Sequence, residues 1–406
     1  MRGYLAAIPT YWTFPGPSGQ EEVVYDHPTP LDTPGTLRRT LESLAPLVSP
    51  AIEVAVVAAA AASALEAEVE SRVRDLIQSP PLPFPVRFFA ASHLQALQDF
   101  CQREGKEGWV SLLSLRGYAQ IRNLTLILAN ICQAEMLVSL DDDEVVDDPA
   151  FFAKIEEDLT VLSRDHQVFG LAGIYRQADG SLLLPEPRAP WAVYWPKMRW
   201  LNEALTELVL APPRLKPTPL GFGGNLAISA ALFRRLPFDA AISRGEDVDY
   251  LLNARMFNIP FFLDNTLGIT HLPPAKPHPT WLRLRQDLVR FAYTRLKLRQ
   301  QEPTPGMVAV TPGEFKPYPG NFLEDDLELR AFRSHTLLAL EYLAADDAAG
   351  ARQTLENLVL MQQVSQSGNQ VFKEYLKTVA RWQALQNWLA RPQVAARARQ
   401  AVWGVA

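Results

Sequence analysis

The chain has 406 residues, 48% apolar and 21% charged, with a net charge of −6. That length allows two or three domains, and the charge gives no global basic field for nucleic acid. Cys101 and Cys132 are the only cysteines, so neither a disulfide framework nor a CxxC zinc site is indicated, and a reduced, cytoplasmic setting is the simpler expectation.

Residues 4–11 read as a first strand. An apolar start broken at Pro9 is not a secretory signal. Residues 12–32 are rich in Pro and Gly and read as a loop; Thr33-Pro34-Gly35 then opens a helix with Leu37, Leu41, Leu44 and Leu47 on one side. A second buried strand spans 52–57, followed by the alanine run 58–62 and a helix over 65–78. The most apolar stretch, 54–65, is too short for the ~20 residues that cross a bilayer. A third strand over 85–90, a helix over 95–103 and a longer helix from 116 to about 134 follow. Strands alternating with helices of this size predict βαβ units and a largely parallel sheet with right-handed crossovers.

The strand 136–140 ends in Asp141-Asp142-Asp143-Glu144. Four adjacent carboxylates repel one another and are costly to desolvate. A hard cation such as Mg²⁺ or Mn²⁺ relieves that repulsion, and ligands of open α/β sheets gather beyond the carboxyl ends of strands. An acidic helix start over Asp147, Asp148 and Pro149 fits the same pattern. A helix over 151–162 and a strand over 168–175 come next. Trp191, Tyr194, Trp195 and Trp200 cluster between prolines, as a satellite core or as an acceptor-binding wall. Gly221 to Asn225 precede an expected helix over 229–236. Gly245-Glu246-Asp247 opens another helix with acids in its first turn. A strand over 259–263 leads to His271. Residues 281–300 carry six basic residues and Asp287, a net of +5, at helical spacing. Such a helix can touch an anionic membrane, hold a phosphate, or form a solvated face over a core contact. Residues 302–320 hold five prolines and read as a linker or arm. Residues 327–403 read as almost wholly helical.

Together these motifs resemble a GT-A fold glycosyltransferase, most like the large family 2. Ile8-Pro9-Thr10-Tyr11 resembles that family's opening strand, and residues 37–44 its first helix. Gly117 to Asn123 is similar to its Gly…Ala-Arg-Asn helix start, and Asp141-Asp142-Asp143 to its Asp-x-Asp motif. Gly223 to Ile228 resembles its sugar-side loop, and Gly245-Glu246-Asp247 its Glu-Asp motif. The resemblance spans about residues 4–275. It implies an α/β, Rossmann-like catalytic domain over 1–275, a basic helix and linker over 276–320, and a helical region over 321–406.

The activity so implied is sugar transfer from a nucleotide-diphosphate sugar to an acceptor hydroxyl, assisted by Mn²⁺ or Mg²⁺. Asp143, Asp141 and His271 would hold the metal. Pro9, Tyr11, Arg122, Asp141, Asp142, Gly224 and Asn225 would bind the donor. Asp247 would be the general base of an inverting transfer, with Glu246 orienting the site. The acceptor stays open among a saccharide, a lipid-linked molecule and a small metabolite. A homo-oligomer through the C-terminal helices and a peripheral membrane contact through 281–300 are compatible with the pattern.

The sequence departs from the family at Ala58 to Ala61, where one or two Asp usually help read the nucleotide base. This leaves a second reading open, a catalytically degenerate nucleotide-sugar-binding or scaffold protein. A nucleotidyltransferase is disfavoured, because residues 12–32 have Gly16 and Gly19 but no Lys or Arg.

Overall fold

The computed structural model describes residues 3–16, 20–274 and 278–405. Among the described residues, ten strands form one sheet: β1 Tyr4–Thr13, β2 Thr29–Pro30, β3 Ile52–Ala60, β4 Val86–Phe89, β5 Met136–Ser139, β6 Glu144–Val145, β7 Gly170–Arg176, β8 Leu215–Pro217, β9 Leu226–Ser229 and β10 Phe261–His271. Thirteen α-helices accompany them among the described residues. These are α1 Leu37–Leu44, α2 Glu66–Gln78, α3 Ala91–Arg103, α4 Tyr118–Ile131, α5 Phe151–Leu162, α6 Lys197–Leu210, α7 Ala230–Phe233, α8 Glu246–Met256 and α9 Thr280–Arg299, followed by α10 Leu327–Ala344, α11 Ala348–Ser365, α12 Val371–Leu389 and α13 Pro392–Trp403.

The strand order is β4-β3-β1-β5-β9-β7-β10-β6, with β2 beside β1 and β8 beside β10. The half from β4 to β5 is parallel, as the βαβ pattern predicts. The other half is mixed, because β9 inserts antiparallel between β5 and β7, and β6 and β8 pair antiparallel with β10.

The alternation of side chains along a strand sorts the core into two layers. Tyr4, Ala6 and Ile8 face the cluster built with α1, α2 and α5, whereas Leu5 and Ala7 face the cluster built with α4 and the C-terminal helices. Helix α4 has almost no exposed residue, because the sheet lies on one side of it and α12 and α13 on the other. Asn130 Nδ2 donates to Gln386 O at 2.7 Å, and Trp382 Nε1 to Phe233 O at 2.8 Å, closing that seam.

Several elements differ from the sequence-based expectation. The region read as a helix over 229–236 splits: Leu226–Ser229 pairs as β9, and α7 is one turn capped by Ser229 and stopped short of Pro237, whose ring disfavours helix at the residue before it. Strand β10 is longer than predicted, because Arg214 neutralises the buried Asp264 in its middle at 2.6 Å. Residues 302–320 do not hang as an arm: Val310, Phe315 and Tyr318 are buried. Three of the six basic residues of α9 turn inward: Arg290, Arg295 and Lys297 are buried and paired with Asp287, Glu328, Asp239 and Asp249, while Arg299 is exposed beside Asp325. These three cations are held in internal pairs, so a large part of the helix is a core contact. Trp191, Trp195 and Trp200 are buried, with Trp195 and Trp200 packed on Phe322, the satellite-core reading. Among the described residues, no helix is long and apolar enough to cross a membrane.

Candidate active site

A cavity of about 290 Å³ opens beyond the carboxyl ends of β1 and β5, where α4, α6, α8 and α9 converge. Its floor is the acid tip after β5. Each acid there has a different partner. Asp141 Oδ1 pairs with Arg122 Nη2 at 2.5 Å, and its backbone N–H donates to Glu144 Oε2 at 2.7 Å. Asp142 turns back to accept the Thr10 hydroxyl at 2.5 Å. Asp143 Oδ2 lies 3.4 Å from His271 Nε2. The antiparallel pairing of β6 with β10 sets Glu144 opposite His271 and so brings that ring to the acids.

Burial raises Asp141, with Arg122 opposing, and raises Asp142 and Glu144 well above the carboxylate range, with help from neighbouring acids. Burial also raises Asp143, but the hydrogen bond and charge of His271 outweigh it and hold this acid low. The Glu144 Oε1 atom is buried with no hydrogen-bond partner.

Arg122 is the hinge between the two acid groups. It projects from the first turns of α4, whose start is set by Gly117 at φ 84°. Its Nη1 donates to Ser139 Oγ at 2.8 Å, and its Nε lies 3.4 Å from Glu246 Oε1. Gly223 has to be a glycine here, since a Cβ would sit 2.7 Å from Arg122 Nη2. Glu246 and Asp247 begin α8 after Gly245, which is left-handed at φ 70°. Burial, then the neighbouring Asp247, pushes the Glu246 carboxyl up to about 7. Asp247 accepts the Gly223 N–H at 3.0 Å and its neighbour's Val248 N–H at 2.7 Å, which locks its carboxylate toward the cavity mouth.

Of the residues singled out from the sequence, Tyr11, Arg122, Asp141, Asp142, Asp143, Glu246, Asp247 and His271 all line this cavity. Pro9, Gly224 and Asn225 do not. Pro9 is buried in β1 opposite Val57. Asn225 Nδ2 donates to Ile174 O at 3.2 Å and Leu267 O at 3.0 Å, so its amide fastens strands to each other. Gly224 acts through its backbone, donating to the Tyr175 hydroxyl at 2.9 Å.

The alanine run ends β3, and the backbone N–H groups of Glu22 and Val23 donate to Ala61 O, so the loop after β1 crosses the place where base-reading acids would stand. Tyr25 of that loop packs tilted against Tyr11, with ring centroids 4.6 Å apart, and edge-on against Tyr118 at 5.1 Å. Tyr175, Lys197, Arg244 and Tyr318 also line the cavity without being singled out from the sequence, and so does Arg290, one of the six basic residues of 281–300. Arg244 abuts the Glu-Asp motif and offered a signal; Lys197 and Tyr318 offered none, since only the fold of α6 and of 302–320 brings them here.

Among the described residues, no group of three or more His, Cys, Asp or Glu side chains forms a ready-made metal cage. Asp141, expected beside the metal, is paired with the buried Arg122 at 2.5 Å. Asp143 and His271 remain as a two-ligand start. Mg²⁺-type sites on phosphate substrates use one or two carboxylates and complete the shell with phosphate oxygens and water. The residues present fit a cation shared with a phosphate ligand.

No family model matches the chain, and no curated protein matches it. Among solved structures it is similar to the mannosyltransferase PcManGT of Pyrobaculum calidifontis in complex with GDP-Man and Mn²⁺, at 16% identity over 99% of this chain and 88% of that one, with a TM-score of 0.45. It is also similar to residues 1–349 of S. aureus TarS, at 11% identity over 87% and 90% of the two chains, TM-score 0.43. A third is GalNAc-T7 with UDP, GalNAc and Mn²⁺, at 14% identity over 86% of this chain and 57% of that one, TM-score 0.39.

Proposed function

We propose that this chain is a GT-A type glycosyltransferase that moves a sugar from a nucleotide-diphosphate sugar to an acceptor hydroxyl. The observation that carries the reading is the meeting of two acid groups, Asp141–Asp143 after β5 and Glu246–Asp247 at the start of α8, around the buried Arg122 in one cavity.

Asp143 and His271 would hold Mn²⁺ or Mg²⁺ together with the donor's diphosphate oxygens. Once bound, that ion supplies Lewis-acid stabilisation of the departing diphosphate. Arg122 adds a fixed positive charge at the helix start, where anions are favoured. Tyr11 stands at the donor end of the cavity.

Asp247 is the proposed general base. Its carboxylate takes the acceptor proton as the acceptor oxygen bonds to the anomeric carbon and the bond from that carbon to the diphosphate oxygen breaks. One displacement from the face opposite the leaving group inverts the anomeric centre. Two backbone N–H groups fix the carboxylate, so it is aimed before substrate arrives, which is where proximity gains arise. Glu246 holds Arg122 and orients the site.

The direct test is thermal stabilisation by UDP-, GDP-, dTDP- and ADP-sugars with and without Mn²⁺. A ligand at 100 times its Kd stabilises by about 2.7 kcal/mol. One nucleotide class should raise Tm only with Mn²⁺, and Asp143→Ala should abolish that dependence. Asp247→Asn should keep the shift and cut turnover at least 100-fold. No shift with any of the four would sink the reading and favour the degenerate alternative.

A further inference from the structure

The cavity has a second pole that the transfer reading leaves unused. Lys197, Arg244 and Arg290 line it together with Asp247. Lys197 Nζ lies 2.8 and 2.7 Å from the two Asp287 oxygens, and Arg290 Nη2 lies 3.0 Å from Asp287 Oδ1 and donates to the Tyr318 hydroxyl at 2.6 Å. Arg244 Nη2 pairs with Asp26 at 2.5 Å. Arg244 and Arg290 thus face Asp26 and Asp287, and Lys197 adds a positive charge to this group when it carries its proton.

The same helix that carries Lys197 carries an apolar wall. Met198, Leu201 and Leu205 line the cavity from α6 at one, four and eight residues after Lys197, a single face of the helix. Leu220 and Phe222 continue the wall across the cavity. At 1.5 Å per residue the span from Lys197 to Leu205 is about 12 Å.

We propose that this pole binds an acceptor that is an acidic amphiphile, with a phosphate or carboxylate seated among Lys197, Arg244 and Arg290 and an apolar body along α6. The inference rests on the transfer reading for the word acceptor, because these cations pair with Asp287 and Asp26 and not with Asp143, and they share the cavity with the proposed base Asp247. The donor's diphosphate is the other anion that could reach these cations, but it would not use the apolar wall.

Burial pushes the Lys197 amine down to about 7 against the pull of Asp287, with Arg244 and Arg290 adding repulsion. Arginine does not give up its proton, so Lys197 is the cation of this group that yields. An incoming anion restores its charge, and binding at pH 8 should therefore take up a proton.

The experiment is calorimetric titration of the full chain with butyl, hexyl and octyl phosphate, 1-octanol and inorganic phosphate. Affinity should rise about fourfold per added CH₂. Octyl phosphate should bind at least tenfold tighter than octanol or inorganic phosphate. Lys197→Met and Arg244→Gln should each weaken octyl phosphate at least tenfold. Lys197→Arg should restore binding but not the proton uptake at pH 8, read from buffers of different ionisation enthalpy. Met198→Gln, at a half-buried site, should flatten the chain-length dependence and leave inorganic phosphate unchanged.

No chain-length dependence, or wild-type binding in both charge variants, would overturn the proposal. It would equally be overturned if those two variants lose Mn²⁺–nucleotide-sugar binding as strongly as octyl phosphate, since the cations would then hold the donor. If alkyl phosphates bind as expected but no nucleotide sugar does, the amphiphile site stands and the transfer reading fails.

Discussion

Arg122→Met removes the charge that joins the two acid groups while keeping most of the side chain's volume. Removing one partner of a buried ion pair costs about 3–5 kcal/mol, because the other is left uncompensated. Asp141 is 25% exposed and can recover some solvation, while Glu246 is 7% exposed and cannot, so the lower end, about 3 kcal/mol, applies. The loss should depend on pH. The folded Glu246 carboxyl titrates near 7, above its ordinary value of 4.5, so the folded state holds a proton there that the unfolded chain releases. Stability from this group is therefore present at low pH and is lost as pH rises through about 7. Without Arg122 the folded value moves higher still, and the decline continues above 7. One further unit is worth about 1.4 kcal/mol. Urea denaturation followed by tryptophan fluorescence should show a deficit of about 3 kcal/mol at pH 8 and roughly half that at pH 6. An equal deficit at both pH values, or none, would refute the account of Arg122 as the counter-charge to Glu246.

Two other substitutions probe the frame of the site. Lys297 is fully buried and bonded to Asp239 at 2.9 Å and Asp249 at 2.9 and 3.0 Å, tying α9 to α8. Lys297→Met should cost about 3–5 kcal/mol in urea denaturation, and adding Asp249→Asn should recover part of it; a neutral Lys297→Met would contradict this. Gly224→Ala would drive a Cβ into Glu144 Oε1 and to 2.6 Å from the Tyr175 hydroxyl. It should cost about 1–3 kcal/mol and weaken Mn²⁺-dependent nucleotide-sugar stabilisation, because Tyr175 stacks 4.9 Å from His271. Unchanged stabilisation by the metal and nucleotide would separate Gly224 from the site.

The parallel half of the sheet was legible because its strands are continuous apolar runs split by helices of regular period. The acid tip and the Glu-Asp helix start were legible because charge concentrated at a strand end or in a helix first turn is locally unusual. Strands β6, β8 and β9 were not, since they are short, lie outside the regular strand–helix alternation and are fixed only by the antiparallel partners beside them. The inward turn of α9 was equally hidden. Its positive charge reads as a surface feature until Asp239, Asp249 and Glu328, from other elements, are brought to it. The alanine run was noticed as a missing contact; only the fold shows the loop of Tyr25 crossing its end.

The helical C-terminus could be an attached assembly module or part of the body, and truncation after residue 305 separates these. Helix α4 positions Arg122, and its outer face is covered by α12 and α13. Removing them uncovers the partners of Trp382, Leu385 and Leu389, all nearly or fully buried. At about 1.5–3 kcal/mol for each large apolar side chain, these three alone represent roughly 6 kcal/mol. That is comparable to the whole stability of a typical domain, about 5–15 kcal/mol. The cut also removes Tyr318 from Arg290 and Glu328 from Arg295. The truncated chain should therefore aggregate or melt far below the full chain. A soluble, folded fragment that still binds nucleotide sugar with Mn²⁺ and loses only self-association would overturn this and make residues 306–406 an assembly module.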